Sequence, residues 1–289
     1  MGFARPVYQR ASADATELTR AREDARNASA LFAQIGDHAE TAQMSAQADA
    51  LALLIEQRLV ALEKAPEKRL QRYVEVRAGL EQSYLVRLAL ARQSSELSVL
   101  QPPESADGLG AERAYYNLAG VNLQIAKTAW ALDHSDPRVH SALSEATAVY
   151  ETVRQLRLER YRSRPHPHLA ACIHGLAIVM YFRALYGFGA GEQVDAVLKA
   201  QEGLWQRMTV AKGLSGDPRS VARDNDVGKS VELLVKICLL ALVDNKPAGD
   251  VVAARAHAMK IVDEALSELD QTLVRYTPED HVDDEEHTS

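Results

Sequence analysis

The stretch SRPHPHLAACIHGLAIVMY, residues 163 to 181, places prolines just before a long apolar run. Pro167 has no N–H, so it suits the first position of a helix, where that N–H would have no intrahelical partner. Two similar starts occur elsewhere: DPRVH at 136–140 and DPRSV at 217–221 each place an aspartate before the proline as an N-cap. These starts predict long helices joined by short turns.

The composition of the 289-residue chain points the same way. Alanine, leucine, arginine, glutamate and glutamine are abundant, and all of them are strong helix formers. Aromatic residues, which strands favour, make up only 6% of the chain. We therefore predict an all-α fold.

Proline and glycine positions divide the chain into segments. Residues 1–100 are predicted to form a helical hairpin and one long helix. The segment 101–112 contains two prolines and two glycines and is predicted to be a linker. A helical array is expected over 113–276, and the acidic residues 277–289 are expected to form a disordered tail.

The net charge and the cysteine content indicate the class of partner and the cellular compartment of the protein. A net charge of −7 argues against a generic polyanion binder. Cys172 and Cys238 lie in apolar contexts, as reduced buried thiols of a cytoplasmic protein do. The N-terminus has no apolar signal-peptide core, and the apolar run at 231–243 is shorter than the roughly 20 residues that span a bilayer. We expect a soluble, cytoplasmic protein with no membrane partner, and the excess of arginine and alanine suggests a bacterial source.

Several segments resemble a known repeat family. They are YYNLAG at 115–120, SEATAVYETVRQLRLER at 144–160, HPHLAACIHGLAIVMY at 166–181 and EGLWQRMTVAKGLSGDP at 202–218. Together they resemble tetratricopeptide (TPR) repeats of the kinesin-light-chain type. The resemblance implies antiparallel helical hairpins stacked as a TPR-like α-solenoid.

The same resemblance implies a partner-binding groove lined by the first helix of each hairpin. The groove side chains that it implies are Tyr116, Asn117, His174, Asn225 and Asp226. An asparagine side chain can bond both the N–H and the C=O of an extended peptide. The expected function is a protein–protein interaction module, a scaffold or regulatory adaptor that binds a protein or peptide. Homo-oligomerisation is also expected, because apolar ends of helical arrays need covering.

A basic stretch supports an alternative function. It contains Arg154, Arg157, Arg160, Arg162 and Arg164. One interpretation is a solvated helix face whose charges favour the helix dipole. The other is an anion-binding site for phosphate, nucleic acid or an acidic partner segment. That second interpretation predicts a nucleic-acid or phosphate-ligand binding regulator.

The histidines of the opening stretch do not predict a metal site. In a helix that starts at Pro167, His168 and Cys172 share one face, whereas His166 precedes the helix and His174 points elsewhere. A zinc site needs three or four convergent ligands. We therefore predict no metal, no cofactor and no catalytic residues, and an all-α enzyme remains a third possibility without a reaction to assign.

Overall fold

The computed structural model describes residues 13–35, 39–93, 106–187, 191–213, 220–243 and 249–275. Nine α-helices and no strands occur within these ranges, which confirms the prediction of an all-α fold. The helices are α1 (Ala15–Gln34), α2 (Ala39–Ala61), α3 (Pro66–Gln93), α4 (Ala106–Leu132), α5 (Pro137–Arg160), α6 (Pro167–Leu185), α7 (Gly191–Lys212), α8 (Ser220–Val243) and α9 (Gly249–Arg275). The predicted tail at 277–289 lies outside the described residues.

The chain divides into two compact units. The first unit covers Met1–Ser163 and contains α1 to α5, and the second covers Arg164–Ser289 and contains α6 to α9. In both units each helix packs mainly on the helices next to it in the chain. Each unit is therefore a stack of helical hairpins, the arrangement typical of α-solenoids.

The division between the units lies elsewhere than the linker predicted at 101–112. Residues 106–112 belong to α4, while 101–105 lie outside the described residues. Helix α4 packs extensively against α3, so helices on both sides of the predicted linker share one unit. The observed division falls between Ser163 and Arg164. Both glycines of the predicted linker lie within α4, and the packing of α4 on α3 places these two helices in the same unit.

Two of the helix starts read from the sequence are confirmed. Asp136 precedes α5, and its carboxylate accepts a hydrogen bond from the backbone N–H of Arg138 at 2.9 Å. His166 precedes α6, and its Nδ1 accepts from the backbone N–H of His168 at 3.2 Å. In both cases proline holds the first helical position. The third start, at 217–218, lies outside the described residues.

Small side chains bring the helices of the first unit close together. Helix α1 buries Leu18, Ala21, Ala25 and Ser29, which recur at the three- and four-residue spacing of one helix face. Between α2 and α3, Gly79 leaves room for the side chain of Leu53. A Cβ added at Gly79 would lie 2.6 Å from Cδ2 of Leu53, well inside van der Waals contact.

A partly buried carboxylate also links three helices of this unit. Glu56 of α2 accepts hydrogen bonds from Arg22 of α1 and, at 2.5 Å, from Arg72 of α3. Burial raises the pKa of Glu56, but the hydrogen bonds from Arg72 and Arg22 outweigh it and hold that pKa below its usual value. The carboxylate therefore stays ionised and fixes three successive helices to one another.

The second unit has a core of its own. Its buried side chains come from α6, α7, α8 and α9 and include Ala177, Val197, Leu204, Leu234, Ile237 and Val262. Cys172 and Ile173 of α6 are fully buried, as the sequence predicted. Helix α6 is also the one helix in the described ranges that is long and apolar enough to cross a membrane, by length and composition alone. Half of its most apolar window is buried within the protein, as in a core helix.

Candidate functional site

Three of the five arginines of the predicted anion site are engaged inside the first unit. Nε of Arg157 donates to Oε1 of Glu112 at 2.6 Å, and Arg160 donates to the other oxygen of the same carboxylate. Arg154 forms an ion pair with Glu151 at 3.5 Å. Arg157 and Glu112 are almost fully buried. An incoming anion would therefore have to compete with Glu112 for Arg157 and Arg160.

The last two arginines of that set are exposed. Arg162 follows the end of α5 and has a positive backbone φ of 49°, a conformation that is uncommon for any residue except glycine. Arg164 is the first residue of the second unit. The five arginines are thus not a continuous solvated row along one helix face.

Tyr116, from the predicted groove, lies beside this buried ion pair. The guanidinium carbon of Arg157 is 4.7 Å from the centre of the Tyr116 ring, a cation–π contact. The Tyr116 ring also packs edge-on against Tyr150 at 5.4 Å. Its neighbour Asn117 is partly buried. Two sets of residues that the sequence assigned to separate sites therefore meet between α4 and α5.

His174, predicted to face the groove, packs inside the second unit. Its Nδ1 lies 3.1 Å from the hydroxyl of Ser230, which also accepts from Arg207 at 3.0 Å. Arg207 also donates to the backbone carbonyl of Asp226 at 2.6 Å. Burial lowers the pKa of His174 to about 3, and the charges of Arg207 and Lys229 act in the same direction. The imidazole is therefore neutral at physiological pH.

The space around this polar cluster is too small for a ligand. The cavity beside Arg207 and Asp226 has a volume of about 10 Å³, roughly what one water molecule needs. Asp226 is partly buried, and the side chain of Asn225 lies outside the described residues. The hydrogen bonds of His174, Arg207 and Ser230 instead join α6, α7 and α8.

The histidines of the opening stretch do not converge. The rings of His166 and His168 lie 5.2 Å apart at the start of α6, while Cys172 is fully buried. In the part of the chain that the structure describes, no three His, Cys, Asp or Glu side chains are grouped so that they could hold a metal ion.

A cleft lies in the first unit, where α1, α2 and α3 meet. Its volume is about 280 Å³. Apolar atoms dominate its surface, which is formed by Ala46, Ala52, Leu53, Gly79 and Val86. Polar side chains complete the lining: Arg26, Asp49, Gln82 and Ser83. We call this site the α1–α3 cleft.

Ser83 sets this cleft apart from an ordinary gap between helices. The residue is 7% exposed, and its hydroxyl has no hydrogen-bond partner among the described residues. A buried hydroxyl without a partner costs free energy that a bound donor or acceptor would recover. Arg26, Asp49 and Gln82 are exposed and carry both signs of charge, so the mouth of the cleft is polar.

Neither Ser83 nor the cleft was identified from the sequence. Four of the seven residues at 46–52 are alanines, but the cavity depends on how three helices meet. Glu112 was missed as well, although it precedes Tyr116 by one helical turn and so shares its face. Its pairing with Arg157 joins two different helices, so no pattern within one helix could have indicated it.

Comparisons with known proteins give no family. No protein-family model matches the chain, and no curated protein matches it. Similar solved structures include the "DHF58 filament", 14% identical over 81% of this chain and 99% of that one, with a TM-score of 0.40. A computationally designed self-assembling cyclic homo-oligomer is 12% identical over 90% of this chain and 97% of that one, with a TM-score of 0.38. The de novo designed helical repeat protein DHR64 is 11% identical over 89% of this chain and 98% of that one, with a TM-score of 0.27.

These TM-scores are too low to support any conclusion about function or assembly. The resemblance to TPR repeats stays a prediction.

Proposed function

We propose that the chain is a protein–protein interaction module of the cytoplasm that binds a partner at the α1–α3 cleft of its first unit. The observation that carries this proposal is the apolar cleft with the buried, unpartnered hydroxyl of Ser83 in its wall. The cleft is large enough for one or two apolar side chains, and a rotation of the Ser83 side chain towards the cleft would let its hydroxyl bond a polar group of the same partner.

The surroundings of the cleft also suit a protein partner. Polar side chains surround an apolar interior, the arrangement found at the centre of many protein interfaces. Val86 lies at this site with 40% of its surface exposed, and Leu85 beside it is 50% exposed. A partner that inserts an apolar side chain would remove this surface from water.

The alternative function, binding of nucleic acid or phosphate, has weaker support. Arg157 and Arg160 already bond Glu112, so an anion would gain little from them without displacing that carboxylate. We propose the cleft in preference to the five-arginine site for this reason.

The test compares two substitutions on the same helix. Val86→Asp places a charge at the cleft, whereas Val74→Asp places the same charge on α3 at a position that does not line it. Val74 and Val86 are 41% and 40% exposed, so both variants should fold equally well. Wild type and both variants are tagged, used to capture proteins from the lysate of the source cell, and compared by quantitative mass spectrometry.

We expect at least one stoichiometric protein to be retained by wild type and Val74→Asp and lost by Val86→Asp. Equal capture by all three proteins would contradict the assignment to the cleft. If capture of the partner were instead lost in Asn117→Ala or His174→Ala, this result would favour the groove that the TPR resemblance implies.

A second pair of variants tests the hydroxyl itself. Ser83→Ala removes a buried polar group without a partner, so stability should hold or rise by up to about 1 kcal/mol. Asn122→Leu removes another such group of the first unit, since neither polar atom of the buried Asn122 amide has a partner among the described residues. Asn122 does not line the cleft, so only Ser83→Ala should weaken capture. Equal capture by both would remove Ser83 from the binding site.

A further inference from the structure

Helix α9, the last helix of the second unit, has an apolar line on its outer surface. Val252, Met259 and Leu266 follow one another at seven-residue steps and are 53%, 38% and 49% exposed. Seven residues are nearly two helical turns, so the three side chains lie along one side of the helix. We call them the α9 line.

The α9 line is separate from the face that α9 packs against its own unit. That inner face contains Ala258, Val262 and Ala265, all of which belong to the buried core of the second unit. Three large apolar side chains at heptad spacing on the free side of a helix are typical of a helix–helix interface.

Charged residues on α9 determine which partner helix fits. Arg255 lies one turn before Met259, and Asp263 lies one turn after it, both beside the α9 line. The exposed Lys260 and Glu264 lie farther around the helix, away from the α9 line. Beside the α9 line, a basic side chain thus lies on the N-terminal side of Met259 and an acidic one on its C-terminal side.

We infer that the α9 line is a self-association surface on which α9 of a second copy docks in antiparallel orientation, with a two-fold axis beside Met259. In this arrangement Val252 of each copy meets Leu266 of the other, and the two Met259 side chains meet at the axis. Arg255 of each copy is level with Asp263 of the other. A parallel pair would instead bring the two Arg255 side chains together, which the charges disfavour.

The surface differs from the one proposed for function. It lies on the second unit, and none of its residues line the α1–α3 cleft. Failure of one assignment therefore leaves the other unaffected, since capture of a partner and self-association are measured separately.

The test uses sedimentation velocity on the full chain over a range of concentrations. We expect a dimer for wild type. Met259→Asp should raise the dimer dissociation constant at least about 30-fold, because it places a charge at the centre of the interface. The control is His257→Asp, which adds the same charge two residues earlier, on another side of the helix, and should leave dimerisation unchanged.

Charge exchange tests the orientation. Asp263→Arg alone should weaken the dimer at least about tenfold, since two arginines then lie level with each other. Adding Arg255→Asp restores opposite charges and should restore the dimer. A monomeric wild type, or a dimer that survives Met259→Asp, would overturn the proposed surface. If the double variant with Asp263→Arg and Arg255→Asp did not regain the dimer, the antiparallel arrangement would be overturned.

Discussion

At the scale of single residues, His174 shows how burial changes the use of a side chain. Its ring bonds Ser230, and the nearby cations Arg207 and Lys229 disfavour a positive charge on it. The resemblance to TPR repeats implied a groove position for His174, whereas its burial against α7 and α8 is decided by packing that the sequence does not show. This residue therefore contributes to pH-dependent stability.

The pH prediction follows from the direction of the shift. The folded pKa of His174 is about 3, whereas an unfolded histidine has a pKa near 6.5. Between these values the unfolded chain binds a proton that the folded chain does not. Stability should therefore fall as pH drops below about 6.5, with a slope approaching about 1.4 kcal/mol per pH unit from this group. The loss continues down to about pH 3.

Urea denaturation at pH 6.5 and pH 5 checks this prediction. His174→Gln keeps a hydrogen-bonding group near Ser230 but cannot titrate, so its stability should change by about 1.5 kcal/mol less than that of wild type. His257→Gln alters an exposed histidine of the same unit and serves as the control. If wild type and His174→Gln lose stability in parallel, His174 is not the group responsible.

At the scale of elements, one buried and one partly buried carboxylate hold neighbouring helices in register in the first unit. Glu56 bridges arginines of α1 and α3, and Glu112 of α4 bonds Arg157 and Arg160 of α5. Each network is satisfied only when the helices have one particular offset along their axes. Replacement of a whole network by apolar residues is often tolerated, but loss of one partner leaves an uncompensated charge.

The variant Glu112→Gln should therefore destabilise the first unit by about 3–5 kcal/mol, because it removes the negative charge that the buried guanidinium groups of Arg157 and Arg160 both bond. Glu145→Gln is a matched control, since Glu145 pairs with Arg77 at 2.7 Å while both side chains are more than a third exposed. That change should cost less than about 1 kcal/mol. Urea denaturation followed by circular dichroism measures both, and similar costs would show that burial of the Glu112 pair contributes little.

The elements themselves were the most predictable part of the chain. The starts of α5 and α6 follow from Pro137 and Pro167, because proline and its preceding cap act within one turn. The ion pair of Glu112 and Arg157 could not be predicted, because it joins positions 45 residues apart. The α1–α3 cleft depends on three helices at once and was equally out of reach.

At the scale of the whole molecule, the two units have separate cores. Leu18, Ile55 and their neighbours form a buried cluster in the first unit, and Leu204, Leu234 and their neighbours form one in the second. A unit with a core of its own is expected to fold by itself. The boundary was not predicted, because the turn at 161–166 looks like any other helix connection.

We therefore expect fragments 1–163 and 164–289 to be helical and to melt cooperatively when expressed separately. Each contains one of the two tryptophans, Trp130 and Trp205, so fluorescence follows each unit in the intact chain when the other tryptophan is replaced by phenylalanine. A fragment that gave no cooperative melting transition by circular dichroism would contradict this division.

The two cysteines give the molecule an unequal chemical sensitivity. Cys172 and Cys238 are the only thiols in the chain, both are buried, and both belong to the second unit. Burial also raises the pKa of Cys238, which leaves less reactive thiolate at neutral pH. A thiol reagent can therefore attack only when the second unit opens, and an oxidant would damage this unit while the cleft-bearing unit offers no thiol to modify.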